Sequence, residues 1–132
     1  MKSFSIRNQL VERGCLVGPR ASELDLELLR RRLGQDLDPT ILDLYRTFDG
    51  FEDSAEASWI TGWTVQQVIH FKPEYTVARG YAAFCDVAIN ATIIHYCIAD
   101  ASKPVVDAVG QSIASSLIAF FDKLLDGSLD LR

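Results

Sequence analysis

The hydrophobic periodicity of this chain changes twice, and that order confines it to one fold class. Up to Gly50 the apolar side chains recur at helical spacing. From Ser58 to Val109 they run in short β-type blocks, and from Ile113 onward the helical spacing returns. Helices, then a meander of strands, then one closing helix describe an α+β arrangement, whereas a doubly wound α/β protein alternates the two. A length of 132 residues suits a single domain spanning 1–132.

Punctuation sharpens the helices. Phe4 to Arg13 reads as a short first helix with Phe4, Leu10 and Val11 on its apolar side, stopped by Gly14. Ser22 caps the second, over 22–33. Leu24, Leu28, Leu29 and Leu33 form its stripe, Arg30, Arg31 and Arg32 suit the negative end of its dipole, and Gly34 ends it. Asp38 caps the third, over 39–49, with Pro39 at the first helical position and Ile41, Leu42, Tyr45 and Phe48 facing inward. After an acidic loop from Phe51 to Ser58, the residues up to Trp63 read as a strand, and Thr64 caps a short helix that cannot pass Pro73. Tyr81–Ile89 and Thr92–Ala99 are strands around a tight Asn90-Ala91 turn, and Val105–Val109 is a third. The closing helix, over 112–126, places Ile113, Leu117, Phe120, Phe121, Leu124 and Leu125 on one face. Leu28, Tyr45, Phe48, Leu117 and Phe121 are the expected core.

Charge is distributed unevenly. The chain carries 13 Lys and Arg against 18 Asp and Glu, a net −5. The first twenty residues are basic, so the acids dominate the remainder of the chain. Between Leu33 and Phe71, the acids Asp36, Asp38, Asp43, Asp49, Glu52, Asp53 and Glu56 are opposed only by Arg46. Such a field repels phosphate backbones and attracts basic partners over about 8–10 Å in physiological salt, which argues against direct nucleic-acid binding. No window approaches the ~18 apolar residues of a membrane helix. The charged N-terminal residues do not resemble a secretion signal, and three cysteines (Cys15, Cys85, Cys97) make no disulfide framework. A reducing cytoplasm is the expected location.

The chain offers little for catalysis. His70 and His95 belong to no zinc or metalloprotease pattern, and no phosphate-binding glycine loop or nucleophile elbow occurs. Glu23 and Glu27 share a helix face without a nucleophile or metal ligand nearby, so they read as solvated surface. His95 and Cys97 fall on one face of a strand, the arrangement of a nucleophile and its base or of half a metal site. A two-residue turn at Asn90-Ala91 puts Cys85 opposite Tyr96, on the other face, and packing is the expected role of all three residues. The same register places Asp86 opposite His95 as a cross-strand pair. Trp59 and Trp63 flank Ile60-Thr61-Gly62 and read as core-lining, with an exposed anchor for a partner as the other reading. No catalytic residue, metal or cofactor is expected.

The order of these elements resembles the SUKH superfamily. Ser22-Glu23-Leu24, Leu33-Gly34, Leu37-Asp38-Pro39, Leu42, Tyr45 and Phe48-Asp49-Gly50 are similar to its opening motif, with Asp38 inserted before Pro39 and Asp49 where asparagine is usual. Trp63-Thr64-Val65-Gln66-Gln67-Val68 resembles its short helix, Phe84-Cys85-Asp86 its Phe-x-Asp strand, and Pro104-Val105 its late Pro-Val. Ser112 to Phe121 is similar to its closing helix, with Leu117 in place of the first phenylalanine. The resemblance covers residues 5–126 and implies N-terminal helices, a central, mainly antiparallel sheet and a C-terminal amphipathic helix packed on it.

The resemblance also implies a binding role without an active site. Many members look like bacterial immunity proteins that neutralise polymorphic toxins, often nucleases, and others are regulatory or scaffold proteins. The expectation is a protein that binds a basic toxin domain, with the regulatory role as the alternative. The expected binding edge is Asp49, Phe51, Glu52, Asp53 and Glu56, with Phe51 or Trp59 as anchor and the strand face of Phe84, Asp86 and His95 next in line.

Overall fold

The computed structural model describes residues 2–54, 59–72, 76–88 and 91–129, with the side chains of residues 2–4 excepted. The fold is α+β. Its helices are α1 (Lys2–Arg13), α2 (Glu23–Leu33), α3 (Pro39–Thr47), α4 (Val65–His70) and α5 (Leu117–Asp126). The strands are β1 (Leu16–Val17), β2 (Phe51–Asp53), β3 (Ile60–Gly62), β4 (Tyr81–Val87), β5 (Thr92–Cys97), β6 (Val105–Val106) and β7 (Ser112–Ala114). These seven strands form one antiparallel sheet in sequence order.

The caps lie where the polar punctuation puts them. Ser22 Oγ accepts from the Asp25 amide, and Thr64 and Gln67 bond each other's backbone in a full capping box. Asp38 does more than cap. One carboxylate oxygen accepts from the Thr40 amide at 2.8 Å, the other from the Ala101 amide at 2.6 Å, and its own amide donates to the Ile98 carbonyl at 2.8 Å. It therefore ties the start of α3 to the chain leaving β5. Asp38→Ala is expected to cost about 2–3 kcal/mol, the sum of a lost cap and a stranded Ala101 N–H. Asp38→Asn, which keeps one acceptor, should cost visibly less. Urea denaturation of the three proteins checks the order.

The aromatic part of the core lies on one face of the sheet. Phe121 of α5 packs edge-on against Phe48, Phe51 and Phe120, and Phe120 reaches Phe84, which in turn lies over Tyr96. Tyr45 of α3 meets Tyr96 hydroxyl to hydroxyl at 3.4 Å inside this layer, and burial raises the pKa of both phenols. The other face is covered over β4 by α4, which also packs on α2. There Trp63 stacks near Phe71 and donates its indole N–H to Asp86 at 2.6 Å.

Several expectations need correction. Helix α2 buries Leu26 and Leu29, while Leu28 is half-buried and Leu24 exposed. A helix this rich in leucine carries two overlapping stripes, and only packing selects between them. In α1 the buried residues are Ile6 and Leu10, and Val11 faces solvent. The strand begun at Val105 ends at Val106, because Asp107 accepts from the Val109 and Gln111 amides and turns the chain. Residues 112–114 form a strand, not the first turn of α5. That helix begins at Leu117, where Ser116 supplies the cap, and Ile113 belongs to the sheet.

Candidate partner-binding surface

The acidic loop expected after α3 is a strand. Gly50, at φ +83°, turns the chain out of α3, and β2 then pairs with β1 on one side and β3 on the other. Phe51 is 5% exposed and belongs to the aromatic core, so it is not a surface anchor. Gly62 stands directly opposite it, and a Cβ there would collide with the Phe51 ring. Asp53 is 3% exposed and accepts from Arg13 at 2.8 Å, tying α1 to the sheet. Neither Phe51 nor Asp53 belongs to a binding edge. Their burial was hidden because the strand that completes their sheet comes from residues 16–17, far away in sequence.

The Asp86–His95 pair does not form. Thr92 pairs with Val87 through a connection over 88–91, longer than a two-residue turn, and a register shift follows between Ala83 and Cys85. Asp86 therefore lies opposite Ile93, and His95 opposite Ala83. Cys85, opposite Ile94, does lie on the other face from His95. Both Asp86 and His95 are buried, Asp86 under Trp63 and His95 under the segment after residue 76, so this stretch presents no free strand face. Phe84 points into the aromatic core.

His95 is 0% exposed. Its Nε2 accepts from the Val77 amide at 3.3 Å, and Nδ1 has no hydrogen-bond partner. Burial lowers its pKa to about 4, against weaker opposition from the charge of Asp107 and the Ile93 backbone. Its neighbour on the same face, Cys97, makes no hydrogen bond to it. Cys15, Cys85 and Cys97 are free thiols. Among the described residues no group of three or more His, Cys, Asp or Glu side chains gathers to hold a metal ion. Within the same residues no helix is long and apolar enough to cross a membrane.

What remains open is the part of the outer sheet face that α4 does not cover. Antiparallel partners share a face, so Leu16, Glu52 and Thr61 form one row across β1, β2 and β3. Trp59 precedes β3 with its carbonyl accepting from the Ala88 amide. Period-2 alternation puts its ring on the side of Thr61. Leu16 is 72% exposed and Trp59 41%, while Glu52 and Thr61 are half-exposed between them. A shallow groove of about 360 Å³ runs along this row to the start of α4, with Asp49 and Glu52 as its charged residues and no base among those lining it.

Asp49 has a structural duty as well. Its Oδ1 accepts from the Val65 amide at 2.7 Å, and its own amide donates to the Pro19 carbonyl, fixing the start of α4 beside the groove. Partial burial raises its carboxyl pKa, with the Val65 bond opposing and Asp25 adding to the rise. Of the eight residues expected to bind a partner, Asp49, Glu52 and Trp59 lie on this surface. Phe51, Asp53, Asp86 and His95 are interior, and Glu56 lies outside the described residues. Leu16 and Thr61 were not anticipated. The one local sign was an apolar Leu16-Val17 pair held between Gly14 and Gly18-Pro19. No family model and no curated protein matches the sequence.

Proposed function

We propose that the protein is a non-enzymatic binding protein of SUKH type, an immunity protein that holds a basic toxin domain against the open face of β1–β3. One observation carries this reading. Among the described residues the outer face of the sheet is covered over β4 but left open over its first strands, where exposed Leu16 and Trp59 flank Glu52. Large apolar side chains left in water on a rigid sheet are the composition of an interface core, and tryptophan is enriched among residues that dominate binding energy. The acids beside them, on a chain of net −5, favour a basic partner by steering encounter. The order of capped helices, strands and closing helix supports the family reading, and a cytoplasmic location belongs to the same proposal.

The test is kinetic. A partner recovered from the native host with the protein is expected to have a basic pI and to arrest growth when expressed alone. Glu52→Gln should slow association at low salt and much less at high salt, because screening removes steering. Trp59→Ala should act on dissociation instead, weakening affinity by about tenfold or more, as loss of an aromatic anchor does. A recovered partner that is harmless when expressed alone would replace toxin neutralisation with the regulatory or scaffold role. Wild-type kinetics in both variants would move the binding surface elsewhere.

A further inference from the structure

A second concavity lies apart from the open sheet face. It has a volume of about 400 Å³ and lies between the last turn of α2, the C-terminal end of α4, residues 76–80 and the start of β4. Ala82 and Ala83 of β4 line it beside Tyr81, and their short side chains leave room. Its walls are apolar, from Leu33, Val68, Phe71 and Ile98. The size lies within the range of about 300–1,000 Å³ usual for small-molecule pockets.

Its charge is opposite to that of the molecule. Arg32 and Arg79 both line the cavity, and no acid is among the described residues around it, although the chain as a whole is net −5. Arg32 is held in place. Its Nε donates to the Ile69 carbonyl at 3.1 Å and Nη2 to the Phe71 carbonyl at 3.3 Å, groups that a helix end leaves without partners. Nη1 keeps its donors. Arg79 is exposed and makes no ion pair among the described residues. Two guanidinium groups beside an apolar chamber match an oxyanion attached to a hydrocarbon body, since the planar fork of arginine fits a carboxylate.

We propose that this cavity binds a small amphiphilic carboxylate, with its apolar body against Val68 and Phe71 and its carboxylate toward Arg32 and Arg79. This is a ligand site independent of the protein partner, and it stands whether or not the partner is a toxin.

Amide-resolved NMR titration with sodium octanoate, 1-octanol and sodium acetate tests it. Octanoate should shift the amides of Phe71, Arg79, Gly80 and Ala83 saturably. Octanol lacks the charge and acetate lacks the body, so each should bind about tenfold more weakly or worse. Arg79→Gln removes an exposed side chain that makes no ion pair among the described residues, so the melting temperature should hold while octanoate affinity falls about tenfold. Octanol binding as tightly as octanoate would overturn the proposal, as would unchanged octanoate affinity in Arg79→Gln. Shifts confined to Leu16, Glu52 and Thr61 would also overturn it, because the carboxylate would then be on the partner surface.

Discussion

Replacing Phe121 by alanine is expected to remove about 3–5 kcal/mol of stability, the range for truncating a buried aromatic ring. Phe121 is 1% exposed and touches rings from three other places in the chain: Phe48 at the end of α3, Phe51 in β2 and Phe120 in its own helix. The cavity left behind would be bounded by rigid rings that cannot collapse into it, which places the cost toward the upper end. Since small proteins hold only about 5–15 kcal/mol in total, the variant should lie near the edge of folding at 37 °C. Leu117→Ala, at the fully buried start of α5, should cost about 2–5 kcal/mol. Urea denaturation gives both values. A loss below about 1 kcal/mol for either would mean that α5 does not dock on the sheet as described.

The second large effect is a pH dependence carried by His95. In the folded protein its pKa lies at about 4, below the ordinary 6.5, because burial disfavours the imidazolium more than Asp107 favours it. Geometry agrees with the neutral form, since Nε2 must be unprotonated to accept from the Val77 amide. The unfolded chain therefore takes up this proton at higher pH than the folded chain does. Stability from His95 is fully present above about pH 6.5, is lost as pH falls toward 4, and changes no further below that. The loss should reach about 3 kcal/mol.

His95→Gln provides the control. Over the same pH range the stability difference between wild type and variant should narrow by about that amount. A proton NMR titration of the His95 ring should give a midpoint near 4. A midpoint near 6.5 would remove the prediction, as would a wild-type-minus-variant difference that is flat with pH.

The residues that define this fold's elements were legible where the signal is local. Ser22, Asp38 and Thr64 each satisfy backbone donors within three residues, so their chemistry acts at short range and shows in the sequence. The stripe of Leu117, Phe120, Phe121 and Leu124 is likewise read from spacing alone, as is the order of helices and strands that makes the fold α+β. Glu52 stood out as an acid with few bases near it and lies on the open face. Trp59, read as core-lining with a surface anchor as the other reading, is 41% exposed, as the second reading requires, while Trp63 is buried.

Tertiary structure decided the rest, for reasons of pairing and packing. Whether Phe51 faces solvent or core depends on a partner strand more than thirty residues upstream, and on Gly62 across the sheet leaving room for its ring. The separation of Asp86 from His95 turns on the longer connection, which moves Asp86 along β5 to Ile93 on the same face, and on the register shift, which leaves His95 opposite Ala83. The choice between the leucine stripes of α2 was made by what packed against it. The face of β1–β3 stays open because the six-residue α4 packs over β4; its shortness is written locally in Thr64 and Pro73, but where it lands on the sheet is not.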